Sequence, residues 1–394
     1  MLKKLTFSNF YSFAEETVID FALGKKPTPS GFDIHVDGDR FNKAIAIIGA
    51  NGSGKTQLLK PLAFLSWFIA NSFLRTAPDE GIPYEPHRFK EILPTMFELE
   101  FFHKGKDYRY QLVLKEKEVQ FEALFEKTSN QFSYLIKREK QADGYLVKQK
   151  GFGFAKPQAE KIRSNASIIS AAHNFDVAEA KGFVDYFQHI ETNVASSGRR
   201  HFQHGELMRA AERFAHAPEL LEPMTEAMCQ FDLGLSRVEI KQLISRDETG
   251  KEGTIYVPFG LHQTDDGKNF ELPFFDESSG TQSAFVLLEP ILKTLQQGGV
   301  AVIDELDNDL HPHLVPILLD WFRFEHTNPK QAQLIFTCHT PEVLNLLQKH
   351  QVYLVEKIGQ CSESWRADDI VGLRADDNLY AKYMAGALGA VPNL

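Results

Sequence analysis

The sequence predicts an α/β fold built around a buried parallel sheet, and three observations carry that prediction. Three short apolar runs, Ala44-Ile45-Ala46-Ile47-Ile48, Val300-Ala301-Val302-Ile303 and Gln333-Leu334-Ile335-Phe336-Thr337, have the length and β-branched character of strands covered on both faces. Each run ends in a polar or glycine-rich motif: Gly49 to Thr56, Asp304-Glu305, and Cys338-His339-Thr340-Pro341. A helical stretch, Leu58-Leu59-Lys60-Pro61-Leu62-Ala63-Phe64-Leu65, follows the first motif and continues to about Leu74. Chemistry gathered at strand ends, with helices close behind, is how open α/β sheets build ligand sites.

In chain order, Lys4-Leu5-Thr6-Phe7 and Thr17-Val18-Ile19-Asp20-Phe21 read as strands on either side of Asn9-Phe10-Tyr11-Ser12-Phe13. A polar loop through Pro27, Pro29 and Gly31 leads to the run at Ala44. Gly49-Ala50-Asn51-Gly52-Ser53-Gly54-Lys55-Thr56 then fits G-x-x-x-x-G-K-[ST] at every fixed position, in the strand–loop–helix context the motif needs. Its glycines let backbone N–H groups close around a polyphosphate, and the helix N-terminus adds partial positive charge. Lys55 is expected to reach the β- and γ-phosphates, and the Thr56 hydroxyl to ligate Mg²⁺. The α/β prediction thereby sharpens to a P-loop NTPase that binds a nucleoside triphosphate.

A Pro-rich break (Pro78, Pro83, Pro86, Pro94) precedes a block of period-two alternation: Phe97, Leu99, Phe101; Tyr108, Tyr110, Leu112, Leu114; Val119, Phe121; Tyr134, Ile136. It predicts an antiparallel meander with one solvated face. From about Gln158 to Cys229 the spacing turns helical, with Val184, Phe187 and Ile190, then Leu207, Ala211 and Phe214, on common faces. Strand character returns at Ser236-Arg237-Val238-Glu239-Ile240 and Gly253-Thr254-Ile255-Tyr256-Val257. The expected organisation is an N-terminal ATPase lobe over 1–140, a helical insertion or lid over 141–235, and a C-terminal lobe over 236–394.

At a strand end in a nucleotide site, the first acid, Asp304, holds Mg²⁺ through water and the second, Glu305, polarises the attacking water. A pair of acids that merely caps the sheet is the plainer alternative. Upstream, Glu277-Ser278-Ser279-Gly280-Thr281-Gln282 opens a helix through Leu287, Leu288, Ile291, Leu292 and Leu295. Its hydroxyls and exposed N–H groups form either a simple cap or a second anion cradle. His339 at a strand end can hydrogen-bond a γ-phosphate and position water. His311 and His313 are two residues apart with no third ligand in view, so no transition metal is assigned.

The whole composition sets limits. The 394 residues are 43% hydrophobic and 24% charged, as in ordinary globular proteins, and no apolar run approaches the roughly 20 residues of a membrane helix. The N-terminus shows no signal peptide, and Cys229, Cys338 and Cys361 are scattered, which points to a reducing, cytoplasmic setting without a membrane. A net charge of -10 argues against a surface that binds nucleic acid throughout. From Lys137 to Arg163, however, eight basic residues outnumber three acids, and Tyr134, Tyr145, Phe152 and Phe154 interleave with them. That stretch reads as a solvated hairpin, with a phosphate-backbone or partner contact as the alternative.

Together, Asn9 to Phe13, Gly49 to Thr56, Ser278-Ser279-Gly280-Thr281, Asp304-Glu305 with Leu310-His311-Pro312, and Thr337-Cys338-His339 resemble the ABC-type AAA-family ATPases of the RecF, OLD and SMC group. The tail, Asp369-Ile370-Val371 and Leu379 to Pro392, is similar to the stand-alone bacterial RloA or abortive-infection ATPases of anti-phage defence. The resemblance implies an ABC-ATPase-like head, with Asp304 as the Walker B acid, Glu305 as the catalytic glutamate, His339 as the switch histidine and Leu306-Asp307-Asn308-Asp309-Leu310-His311-Pro312 in the D-loop region. Gly49, Asn51, Gly52, Gly54, Lys55 and Thr56 match the P-loop. Ser279 and Gly280 match a signature that acts on the ATP of another protomer.

The signature reads Glu-Ser-Ser-Gly-Thr-Gln where the transporter form is Leu-Ser-Gly-Gly-Gln, and neither Gln111 nor Gln120 matches the Q-loop glutamine. No sustained heptads support an SMC-like rod. The resemblance further implies ATP and Mg²⁺ as cofactors, a homodimer or higher homo-oligomer, and a separate effector, nuclease or toxin, regulated by this chain. A RecF-like or OLD-like DNA-binding ATPase of repair or processing is the alternative.

Overall fold

The computed structural model describes residues 1–24, 27–200, 203–231, 234–246, 252–264, 266–308, 310 and 313–391. Its central sheet has six strands in the order Ile190–Thr192, Val300–Ile303, Gln333–Thr337, Ala44–Ile48, Val352–Ile358 and Cys361–Arg366. The first five are parallel and the last returns antiparallel. The strand leading to His339 therefore lies between the P-loop strand and the acidic strand, which places all three motifs at one edge of the sheet.

Period two explains why these strands are apolar throughout. Ile45, Ile47, Val300, Val302 and Ile335 face one core, which they share with the P-loop helix Lys55–Arg75 and the helices Ile168–Asn174 and Ala178–Gln188. The alternate residues, Ala44, Ala46, Ile48, Ala301, Ile303, Leu334 and Phe336, face a second core. That core is formed with His204–Ala215, Leu221–Gln230, Ser279–Gln297 and Leu314–Arg323. A strand buried on both faces cannot show polar alternation.

The predicted meander is a seven-stranded antiparallel sheet, in the order Gly144–Gln149, Gln131–Gln141, Glu118–Thr128, Lys106–Lys115, Thr95–His103, Leu2–Ser8 and Thr17–Asp20. Phe97, Leu99, Phe101, Tyr110, Leu112 and Leu114 pack into the first core, while the alternate residues are half-buried or exposed. Two inner charges are fully enclosed. Arg138 and Glu122 pair at 2.8 Å with no exposure, and Glu122 also accepts from the Tyr110 hydroxyl (2.9 Å), the Ser167 hydroxyl (2.6 Å) and the Ile168 N–H (2.9 Å). With its acceptor sites filled, the carboxylate offsets its own desolvation.

Three expectations need correcting here. Ile190 does not continue the helical stripe of Val184 and Phe187: the helix Ala178–Gln188 ends, and Ile190–Thr192 pairs in parallel with Val300–Val302. A three-residue strand with one buried apolar residue is too short to register as alternation. Residues 144–149, within the stretch expected to be a helical insertion, form the edge strand of the antiparallel sheet. The basic stretch is likewise not uniformly solvated. Arg138 is buried, Phe152 and Phe154 are core residues, and Arg163 donates to the carbonyls of Ser72, Phe73 and Thr76 at the C-terminal end of the P-loop helix. Lys137 and Lys150 lie over the Tyr134 ring, and Lys140 pairs with Glu118. Cys229, Cys338 and Cys361 are free thiols. Among the described residues, no helix is long and apolar enough to cross a membrane.

Candidate nucleotide site

The P-loop is shaped by what its neighbours leave room for. A Cβ on Gly49 would lie 2.2 Å from the Val355 carbonyl oxygen. Gly54, with φ of 114°, would place one 2.3 Å from the Ser362 hydroxyl. At Gly49 only glycine fits the space, and at Gly54 only glycine meets both the space and the conformation. The helix starts at Lys55, so its first N–H groups face the cleft. Lys55 Nζ donates to the carbonyls of Gly49 (2.8 Å) and Ala50 (3.2 Å), which hold the ammonium inside the loop. Burial lowers its pKa, against the opposing pull of Asp304, Glu305 and Asp307.

Thr56 donates its hydroxyl to Asp304 Oδ2 at 2.8 Å, and the Thr337 hydroxyl donates to Asp304 Oδ1 at 2.6 Å. The same Thr337 oxygen accepts from the Glu305 N–H at 2.6 Å. Asn193, just past the end of Ile190–Thr192, clamps the Asp304 backbone from the other side: its Oδ1 accepts from the Asp304 N–H (2.7 Å) and its Nδ2 donates to the Asp304 carbonyl (2.9 Å). Asp304 is 1% exposed. Two strand neighbours thus fix the acid from both sides.

Glu305 has a left-handed backbone, φ 52°, a conformation that non-glycine residues hold only where the surroundings impose it. Its carboxylate is engaged at both oxygens, by His339 Nε2 at 3.2 Å and by Arg199 Nη1 at 2.5 Å. Burial pushes its pKa up, but the His339 hydrogen bond and the Arg199 charge together outweigh that and hold it below the usual carboxylate range. Asp307 shapes the His339 loop, accepting from the His339 N–H at 3.0 Å and from the N–H (2.8 Å) and hydroxyl (2.6 Å) of Thr340. Burial raises its pKa, but these hydrogen bonds prevail and hold it low.

These groups line a cleft of about 410 Å³. Of the predicted residues, Asn51, Gly52, Gly54, Lys55, Thr56, Asp304, Glu305 and His339 are brought together there. Ser12, Gln57 and Lys357 complete the lining. Ser279 and Gly280 are not part of it. They begin the helix Ser279–Gln297, capped by the Ser278 hydroxyl, which accepts from the Thr281 N–H at 3.1 Å. Gln282 ties the preceding loop down by donating to the carbonyls of Phe275 (3.2 Å) and Glu277 (2.9 Å). Asp309, His311 and Pro312 lie outside the described residues. Gln111 sits mid-strand and bonds to Glu98, away from the cleft.

Sequence reasoning missed Asn193, Arg199 and Lys357 as site residues. Asp307 and Thr337 lie inside the D-loop and switch motifs, but their own part in holding the acids and the His339 loop has no counterpart in the sequence reading. The donor set suits a hard cation: one hydroxyl and one carboxylate converge, and the Ser53 hydroxyl nearby is buried without a partner. Thr56 and Asp304 thus fit Mg²⁺.

A family described as "AAA domain, putative AbiEii toxin, Type IV TA system" matches residues 44–345, a span that includes the P-loop, Asp304-Glu305 and His339. The chain belongs to this AAA family. Among solved structures, this AAA-family chain is similar to the SMC head domain from Thermotoga maritima: 16% identity over 93% of this chain and 98% of that one, with a TM-score of 0.41. It is also similar to the Smc head domain with an extended coiled coil bound to the C-terminal domain of ScpA, from Pyrococcus furiosus. That match has 11% identity over 93% and 97% of the two chains, with a TM-score of 0.42. No curated protein matches the AAA-family chain.

Proposed function

We propose that this AAA-family chain is a cytoplasmic, Mg²⁺-dependent ATPase, converting ATP and water to ADP and phosphate, that dimerises through composite ATP sites. It would serve as sensor or regulator of a bacterial anti-phage, abortive-infection system and act on a separate effector, a nuclease or toxin. The observation that carries the enzymatic part is the convergence of Lys55, Thr56, Asp304, Glu305 and His339 on one cleft. The family description supports the setting.

Lys55 neutralises charge on the β- and γ-phosphates, and the N–H groups of Gly52, Gly54 and the helix start bind their oxygens. Thr56 and Asp304 would hold Mg²⁺, which when bound offsets phosphate charge and orients the chain of phosphates. Glu305, ionised, accepts a proton from the attacking water as the new P–O bond forms and the bond to the β-phosphate oxygen breaks. His339 orients that water and the γ-phosphate. For Glu305 to act, Arg199 must loosen its hold on one carboxylate oxygen, so turnover is tied to movement of the segment that carries Arg199.

The capped start of the signature helix, outside its own cleft, supports a role for Ser279 and Gly280 on the ATP of a second protomer. ATP would then close the pair only through tighter binding of the γ-phosphate in the closed state. The N-terminal lobe, extended to residue 149 by its edge strand, and the range 236–394 would act as the two lobes, with the remainder of 141–235 relaying their closure.

The test is the solution mass of Glu305→Gln with Mg²⁺-ATP, with Mg²⁺-ADP and without nucleotide, beside the wild-type turnover rate. A rise in mass with ATP alone, abolished by Ser279→Arg, is the expected result. Full turnover in both Lys55→Ala and Glu305→Gln would sink the enzymatic reading.

A further inference from the structure

A second cavity, of about 510 Å³, is lined by Lys60, Phe64 and Trp67 of the P-loop helix and shares none of its lining residues with the nucleotide cleft. Four aromatic side chains, Phe10, Tyr11, Phe64 and Trp67, line one part of it, and residues of the segment Ile190 to Ser196 line another. Lys60 is its distinctive feature. The side chain projects from the middle of the P-loop helix and is 4% exposed. Among the described residues its ammonium donates to one group, the Ser196 carbonyl at 2.8 Å, and it lies 3.7 Å from the centroid of the Tyr11 ring.

Among the described residues no carboxylate lies within ion-pair distance of Lys60. The acid that also lines the cavity, Glu191, is already held by Lys293 at 2.6 Å. An ammonium with a single carbonyl acceptor among the described residues and a π face has N–H donors left over, which water or a bound ligand in the cavity can take. At the mouth stands Arg200, exposed and without an ion-pair partner among the described residues. The cavity thus combines an aromatic cluster with neutral polar groups, and the two cations that line it are Lys60 and Arg200.

Tyr11 is held in place at a cost. The turn Asn9-Phe10-Tyr11-Ser12-Phe13 places both Asn9 (φ 53°) and Tyr11 (φ 49°) in the left-handed region. Its ends are pinned by the Phe10–Phe13 bridge and by Asn9, which donates to the carbonyls of Lys90, Leu93 and Pro94. Strain of this kind persists where a side chain must be presented in one direction. Here the turn sends Tyr11 over Lys60, where its hydroxyl donates to the Ser196 carbonyl at 3.0 Å, and sends Ser12 into the nucleotide cleft.

From the aromatic cluster, the incompletely bonded Lys60 ammonium and the Arg200 guanidinium at the mouth, we propose that this cavity binds a small aromatic monoanion, its ring against Phe64 and Trp67 and its charge on Lys60. The volume suits a ligand of two fused rings with one acidic group. The site is separate from nucleotide hydrolysis and stands whether or not the cleft turns ATP over.

The probe is 8-anilinonaphthalene-1-sulfonate, titrated by fluorescence and displaced by 1-naphthalenesulfonate or by neutral 1-naphthol. In the wild type, and equally in Lys55→Ala, one saturable site per chain is expected, displaced by the sulfonate and not by the naphthol. Lys60→Met should weaken binding about tenfold or more, the loss expected for one charge-assisted contact. Arg200→Gln, at an exposed position that leaves the thermal midpoint unchanged, should weaken it severalfold and keeps the test decisive if Lys60→Met folds poorly. Equal affinity in wild type and Arg200→Gln, displacement by the naphthol as readily as by the sulfonate, or binding lost with Lys55→Ala would each overturn the assignment.

Discussion

The Thr337 hydroxyl donates to Asp304 and accepts from the Glu305 N–H, so one small side chain aligns both acids. Thr337→Val keeps the shape and removes both bonds, leaving a buried N–H without a partner; a loss of about 1–3 kcal/mol in chemical denaturation is expected, with turnover reduced. Thr337→Ser should recover most of both. Glu305 makes a prediction about pH. Because His339 and Arg199 hold its carboxyl ionised below the usual range, Arg199→Ala should raise that pKa. The acid limb of the pH–rate profile would then move to higher pH, which a kcat/KM series on the two proteins reads directly. An unmoved limb would mean that Glu305 is not the base. Lys55, Thr56, Asp304, Glu305 and His339 were legible in the sequence because each sits in a short motif whose spacing carries its chemistry. Asn193 and Arg199 were not, since what makes them part of the site is their position beside Asp304 and Glu305 across more than a hundred residues of chain.

The P-loop helix shows how an element borrows its stability from elsewhere. Its C-terminal carbonyls at Ser72, Phe73 and Thr76 are taken by a single guanidinium, that of Arg163. Such groups otherwise go unsatisfied at a helix end. Arg163→Leu should therefore cost about 2 kcal/mol by urea denaturation, through loss of the Nη2 whose two N–H groups serve the three carbonyls. Arg163→Lys should recover only part, as an ammonium lacks the planar fork. The N-cap of the helix Ser279–Gln297 is a smaller contribution: Ser278→Ala should cost about 1 kcal/mol. Both helices and the strands of the meander could be read from periodicity, because each runs long enough for its period to repeat. The strand Ile190–Thr192 could not, and a basic run is ambiguous by nature: nothing local distinguishes Arg138, buried against Glu122, from the lysines around it.

At the scale of the molecule, the six-stranded sheet is closed by groups far apart in sequence. Gln333 accepts from the Leu2 N–H at 2.6 Å and donates to the carbonyls of Leu2 (3.1 Å) and Asn42 (3.0 Å), bolting the first strand to the sheet. Near the same region His350 is 2% exposed, its Nε2 has no partner, and burial pushes its pKa down to about 4 from 6.5. Since the folded value is the lower one, the unfolded chain binds the extra proton first. Stability is complete above pH 6.5, falls as pH drops from there to about 4, and levels off below. The full shift corresponds to about 3 kcal/mol, so His350→Gln should flatten that part of a stability–pH curve measured by denaturation, and an unchanged slope would refute the assignment. The sheet order has a consequence for synthesis. The strand Ala44–Ile48 is apolar throughout, yet both its neighbours, Gln333–Thr337 and Val352–Ile358, are translated much later. From Ile48 to Gln333 is about 285 residues, roughly 15–60 s on a ribosome. For that time the nascent chain carries a bare, β-prone segment with no partner strand, so production of this protein should depend on chaperone capture and suffer when translation is slowed between the two halves of the sheet.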